Sequence, residues 1–144
     1  MIEQKSLELS EFHYDFVWAL GCHLYQRARK NEFPVAIEIR HGSDLVFAML
    51  APGAIDKFDW TRRKCAVVHR FHRSSLFVKL EAQSKNYEFN TRFRLPPEDF
   101  AAGGGGVPLI LKGGVFIGSV GVSGLPDVQD HKLITSCLAE MLTG

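Results

Sequence analysis

The chain has 144 residues, 46% of them hydrophobic and 11% aromatic, which is enough to bury one sizeable core and too few for two. Seventeen basic and sixteen acidic side chains leave a formal charge of +1, which excludes a protein that coats nucleic acid through a strong phosphate-neutralising field. Three widely spaced cysteines (Cys22, Cys65, Cys137) make neither a disulfide framework nor a metal knuckle, and no stretch approaches the ~20 apolar residues of a membrane span, so one soluble, unexported, cytoplasmic domain over residues 1–144 is expected.

In chain order, Phe12, Phe16, Leu20, Leu24 and Ala28 recur every four residues behind Ser10, a candidate N-cap, and predict a first helix. Pro34 to Arg40 and Asp44 to Met49 are β-branched or apolar runs joined by His41-Gly42-Ser43, which predicts an antiparallel hairpin. Trp60, Lys64, Val67, Val68 and Phe71 repeat with helical period, and Ser74-Ser75 closes that helix and caps another over Leu76 to Gln83. Around Pro96-Pro97 the aromatic spacing is irregular, with one helical turn expected after the prolines. Val107 to Lys112 and Val115 to Val122 flank Gly113-Gly114, a second hairpin signal, and a last helix begins near Pro126 and runs to Leu142. Two hairpin links and no long crossover between paired strands predict an α+β fold, an antiparallel central sheet with helices packed on its faces.

The chain carries no nucleophile elbow, Walker loop, metalloprotease helix or paired-cysteine zinc motif. Its chemistry is concentrated in two places. Between Arg62 and Arg73 lies the densest basic stretch, and Arg63 and Arg70, seven apart, share a helical face that continues to Ser74 and Ser75, whose N–H groups open the following helix. Arg63, Arg70, Ser74 and Ser75 therefore form a candidate site for a carboxylate or phosphate, against the plainer reading of a solvated charged stripe. The glycines from Gly103 to Gly124 either admit a ligand close to the backbone, with Gly105, Gly106, Ser123 and Gly124 as contacts, or serve bulges and tight helix-on-sheet packing. Gly118, Gly121 and Gly124 have the wrong spacing for a dinucleotide fingerprint.

Asp130 and His131 fall in the first turn of the last helix and are weak catalytic candidates, with the helix dipole a sufficient reason for Asp130. His69 and His72 stand three apart without a third ligand, so no metal site is assigned and both are expected at the surface. Cys65 lies among basic residues, but Val67 and Val68 favour a buried packing role.

Trp18-Ala-Leu-Gly21, Pro34-Val-Ala-Ile37, Trp60 with Arg63-Lys64, Arg70-Phe71 with Arg73-Ser-Ser75, Gly105-Gly-Val-Pro108, and Val122-Ser-Gly-Leu-Pro126 with Asp130-His131 occur in order along nearly the whole chain. Together they resemble a branch of the GlcG-like, or HbpS-like, haem-degrading superfamily. The resemblance implies a profilin-like antiparallel sheet flanked by helices, homo-oligomeric assembly, and relatives that bind haem or corrinoids. Gly103 departs from the pattern, in which a histidine often precedes the Gly-Gly-x-Pro segment, so any role of that histidine is absent or moved here. Three functions stay open: a binding protein for an anionic ligand such as haem or another tetrapyrrole, an enzyme on a small metabolite, or an oligomeric scaffold. Partners are expected to be other copies of the chain and a small anion, with neither nucleic acid nor membrane.

Overall fold

The computed structural model describes residues 7–143. Its elements run α1 (Tyr14–Lys30), β1 (Ala36–His41), β2 (Asp44–Leu50), α2 (Phe58–Phe71), α3 (Ser75–Ser84), α4 (Phe89–Phe93), β3 (Gly106–Leu111), β4 (Val115–Ser123) and α5 (Asp127–Thr143). The four strands form one sheet in the order β2-β1-β4-β3, and every neighbouring pair is antiparallel, as both hairpin signals predicted. Gly113 and Gly114 have φ of +95° and +86°, a backbone that side chains rarely adopt and that reverses the chain between β3 and β4.

Because strand residues alternate between faces, the register pairing Ile37 with Val122 and Ile39 with Val120 aligns one apolar set on one side of the sheet. That set packs against Val17, Leu20, Leu24 and Ala28 of α1 and Ile134, Cys137 and Leu138 of α5. Each fully buried Leu, Ile or Val contributes about 1.5–3 kcal/mol, so this layer is the main source of stability. The alternate residues of the same strands, Glu38, Ser119, Gly121 and Ser123, lie beneath α2. A Cβ on Gly121 would stand 2.7 Å from Cys65 Sγ and 3.2 Å from Thr61 Cβ, so the missing side chain sets how closely α2 lies on the sheet. A second apolar cluster, built on Val67, Val78, Ala82 and Phe89, joins α2, α3 and α4.

Two local expectations are corrected. Helix α1 begins at Tyr14 behind His13, not behind Ser10, because Leu9 is already committed to the sheet edge: its N–H donates to Ile110 O and its carbonyl accepts from Lys112 N. The irregular segment has its helix before the prolines, where Glu88 accepts hydrogen bonds from the backbone N–H groups of Asn90 and Thr91 and caps α4. After Pro96 only a turn remains, with Asp99 N and Phe100 N donating to Pro96 O.

Candidate functional site

Thr61, Lys64, Cys65 and His69 recur at three- and four-residue spacing and so share the face of α2 that meets the sheet. Polar groups there must find partners in a dry layer. Thr61 donates to Glu38 at 2.7 Å, Glu38 also pairs with Arg40, and the His69 ring nitrogen lies 2.8 Å from Ser119 Oγ. Burial, with Arg40's charge second, lowers the His69 pKa, and burial pushes the Cys65 thiol far up, so Cys65 is a packing residue, as its neighbours implied. His69 is half-buried rather than a surface residue, because this face of α2 is turned to β4.

The unusual member of the row is Lys64. It is only 5% exposed, and its ammonium donates to Asp130 Oδ2 at 3.1 Å, Ser123 Oγ at 3.3 Å and Val122 O at 3.3 Å. Asp130 is fully buried in the first turn of α5, and its second oxygen accepts from Leu125 N at 3.0 Å. Burial pushes the Asp130 carboxyl up to about 6, with Lys64 pulling the other way. An ion pair taken out of water costs several kcal/mol per ion before its partners offset it, so its position is informative.

Lys64 and Ser123 line a cleft of about 460 Å³, within the range of small-molecule sites. Its walls are Lys57 and Trp60 from the start of α2, residues 101–103 opposite, and Gly124, Leu125 and Asp127 from the β4–α5 turn. The wall of glycines is held in place by contact: a Cβ on Gly104 would run into the Asp127 carbonyl, and one on Gly103 would stand 3.2 Å from the Asp127 carboxylate. Asp127 is itself paired with Lys79 of α3. Trp60 is 43% exposed, and Arg63 lies over its ring at 3.9 Å while pairing with Asp59 at 3.0 Å. A larger groove of about 680 Å³ runs between α1 and α5 beside Arg27 and Lys132, but no buried charge lines it.

The structure brings Gly105, Ser123, Gly124 and Asp130 together around Lys64; a Cβ on Gly105 would stand 2.9 Å from the Lys64 nitrogen. Arg63 reaches the cleft only through Trp60, and donates to Pro97 O as well. Arg70 is exposed two helical turns further on, about 10 Å along the axis, beside the Phe71 ring. Ser74 caps α3 by accepting from Phe77 N at 3.1 Å. Ser75 is fully buried, and its hydroxyl accepts from Gly106 N at 2.9 Å, tying α3 to β3. His131 is buried beside Asp130. Lys57, Trp60 and Lys64 were not among the expected site residues, although Trp60 and Lys64 belong to one of the blocks that carry the resemblance, and a lysine inside the apolar period Trp60, Lys64, Val67, Val68, Phe71 points to a buried charge.

Among the described residues no group of three or more His, Cys, Asp and Glu side chains could hold a metal ion, and no helix is long and apolar enough to cross a membrane. The cleft presents a cationic side chain, Lys57, and an aromatic ring, Trp60, but none of its lining residues is a histidine or cysteine that would ligate iron.

The family described as haem degrading protein HbpS-like matches residues 12–139. A UPF0303 protein of Streptomyces avermitilis is 38% identical over 142 residues, covering 98% of this chain and 87% of that one. The crystal structure of the Ybr137w protein superposes with a TM-score of 0.90 at 25% identity, covering 99% of this chain and 84% of that one. A PduOC:haem complex has the same fold, with a TM-score of 0.74 at 18% identity over 91% of this chain and 94% of that one.

Proposed function

Because the chain belongs to the HbpS-like haem-degrading protein family, we propose that it binds a small anionic molecule, with haem or another tetrapyrrole the leading candidate, in the cleft above Lys64. The observation that carries this reading is the buried Lys64–Asp130 pair at the cleft floor beneath Lys57 and Trp60. Lys57 has no carboxylate partner among the described residues and takes a ligand carboxylate. Trp60, stiffened by Arg63, offers its ring to a flat apolar body. Ser123 and Gly124 line the floor beside Lys64, and a Cβ on Gly105 would run into the Val122 carbonyl and crowd the Lys64 nitrogen from behind. The family's description and the haem in the PduOC crystal support the choice of ligand.

Recognition in this reading runs through acid groups and ring, so iron contributes little. Haem and iron-free protoporphyrin should bind with affinities within about threefold of each other, and Lys57→Ala should weaken both by at least about tenfold, which corresponds to 1.4 kcal/mol. Absorbance titration checks this; equal affinity in wild type and Lys57→Ala overturns it. The same reading keeps the protein a cytoplasmic homo-oligomer, supported by the free thiols and by Trp18, Tyr14 and Leu45, each more than half exposed.

A further inference from the structure

Binding an anion does not by itself explain why the cleft floor holds an amine with a carboxylate behind it. Lys57 and the backbone could hold an acid without Lys64, and a buried lysine–aspartate pair is costly to keep where an apolar pair would pack. Lys64 is half of a chemical couple. Its nitrogen is held by three acceptors in fixed positions, one of which, Asp130, has an unusually high affinity for a proton because it is buried. Another, the Ser123 hydroxyl, lines the cleft. A lysine becomes a nucleophile when it loses its proton in a dry site with a base at hand.

From this geometry we infer that Lys64 forms an imine with small carbonyl compounds that enter the cleft, Asp130 acting as its proton acceptor and donor. The Lys64 ammonium, 3.1 Å from Asp130 Oδ2, passes one proton to that oxygen. Rotation about the Cε–Nζ bond turns the freed lone pair from Asp130 towards the Ser123 side, where the cleft opens. The amine then attacks the carbonyl carbon, a C–N bond forms, and the C=O π pair moves to oxygen. One nitrogen proton moves to that oxygen, which gives the neutral carbinolamine. Asp130 returns its proton to the hydroxyl, which leaves as water while the nitrogen lone pair closes the C=N bond. The products are a protonated imine and one water, with Asp130 again a carboxylate beside a cation, so no oxidant or reductant is consumed. Lys57 on the cleft wall favours a carbonyl compound that also carries a carboxylate, a short 2-oxo acid. The inference rests on the cleft being the open binding site proposed above.

Borohydride trapping tests it on the intact chain. The protein is incubated at pH 7 with pyruvate, or with acetaldehyde, then reduced and mapped by peptide mass spectrometry. Lys64 should carry the reduced adduct at least about tenfold more than any other lysine, because its nitrogen is held beside a buried carboxylate where the cleft opens. Lys64→Met should abolish the preferred adduct, and Asp130→Asn should slow its formation at least about tenfold. Pyruvate should label Lys64 at lower concentration than acetaldehyde. The wild-type map alone decides the matter if a variant fails to fold: Lys64 unlabelled, or labelled no faster than surface lysines, overturns the inference. Saturable pyruvate binding seen by tryptophan fluorescence without any trapping overturns the imine and leaves the binding site standing. Trapping by acetaldehyde at Lys64 without preference for pyruvate supports the imine and removes the anion preference.

Discussion

Asp130 sits where two electrostatic effects oppose each other, and the stronger decides its titration. Burial favours the neutral acid, Lys64 favours the carboxylate, and the balance leaves the group near 6, above the ordinary carboxylate range. Removing the ammonium removes the opposing effect, so Lys64→Met should raise the Asp130 pKa further, measurable by carboxyl carbon NMR; a fall would contradict the assignment of Lys64 as the group that pulls it down. The sign for stability follows from proton counting. A carboxyl with a raised folded-state pKa binds more protons folded than unfolded between its two pKa values, so its contribution to stability is full at low pH and is lost as pH rises from about 4 to about 6. Denaturant unfolding should therefore show wild type losing stability relative to Asp130→Asn between pH 4.5 and pH 7.5, and a gap independent of pH would contradict this. Gly121 is a packing residue in the same layer. Gly121→Ala places a methyl 2.7 Å from Cys65 Sγ and should cost about 1–3 kcal/mol, since α2 must lift from the sheet.

At the scale of elements, most of the fold was legible because periodicity and turn chemistry agreed. The four-residue repeat from Phe12 to Ala28 marked α1, although Phe12 itself precedes the helix, and Gly113-Gly114 marked the β3–β4 hairpin. The start of α1 was not legible, because Ser10 is a good local cap while a tertiary contact, Leu9 with the end of β3, holds the backbone extended there. The short helix α4 was hidden for a similar reason: its cap is Glu88, an acid in a position where Ser or Asp is the usual signal. The serines beside the arginines have roles that sequence alone left open. Ser74 caps α3, so Ser74→Ala should cost about 1 kcal/mol in thermal or denaturant unfolding and leave ligand affinity within about twofold of wild type. A large loss of affinity with unchanged stability would instead return Ser74 to the binding site.

For the whole molecule, the two faces of the sheet have separate tasks. One face, under α1 and α5, is uniformly apolar and supplies the core. The other, under α2, carries Glu38, Ser119 and Ser123 with Gly121, and at one end of this polar layer the chain leaves a cleft instead of filling it. Part of the candidate site was named from the sequence: Ser123 and Gly124 line the cleft and Asp130 pairs with Lys64, whereas Gly105 and Gly106 are buried outside its lining, packed against Val122 and Ser75. The rest, Lys57, Trp60 and Lys64, required knowing which face of α2 turns inward. The basic residues Arg62 and Arg70 drew attention to the exposed side of the same helix, Arg63 to the ring of Trp60 that it covers, and Arg73 to the exposed link after the helix. The proposed homo-oligomer would cover the exposed aromatic surface around Trp18, so light scattering should give a solution mass above the 16.2 kDa of one chain; a monomer at micromolar concentration would contradict the proposal. The most direct test of the cleft is an amide and indole NMR map with iron-free protoporphyrin. The largest shifts should fall on the Trp60 indole, Gly103, Ser123 and Gly124, and shifts centred on Arg70 and Ser74, or on the groove beside Arg27 and Lys132, would contradict the account.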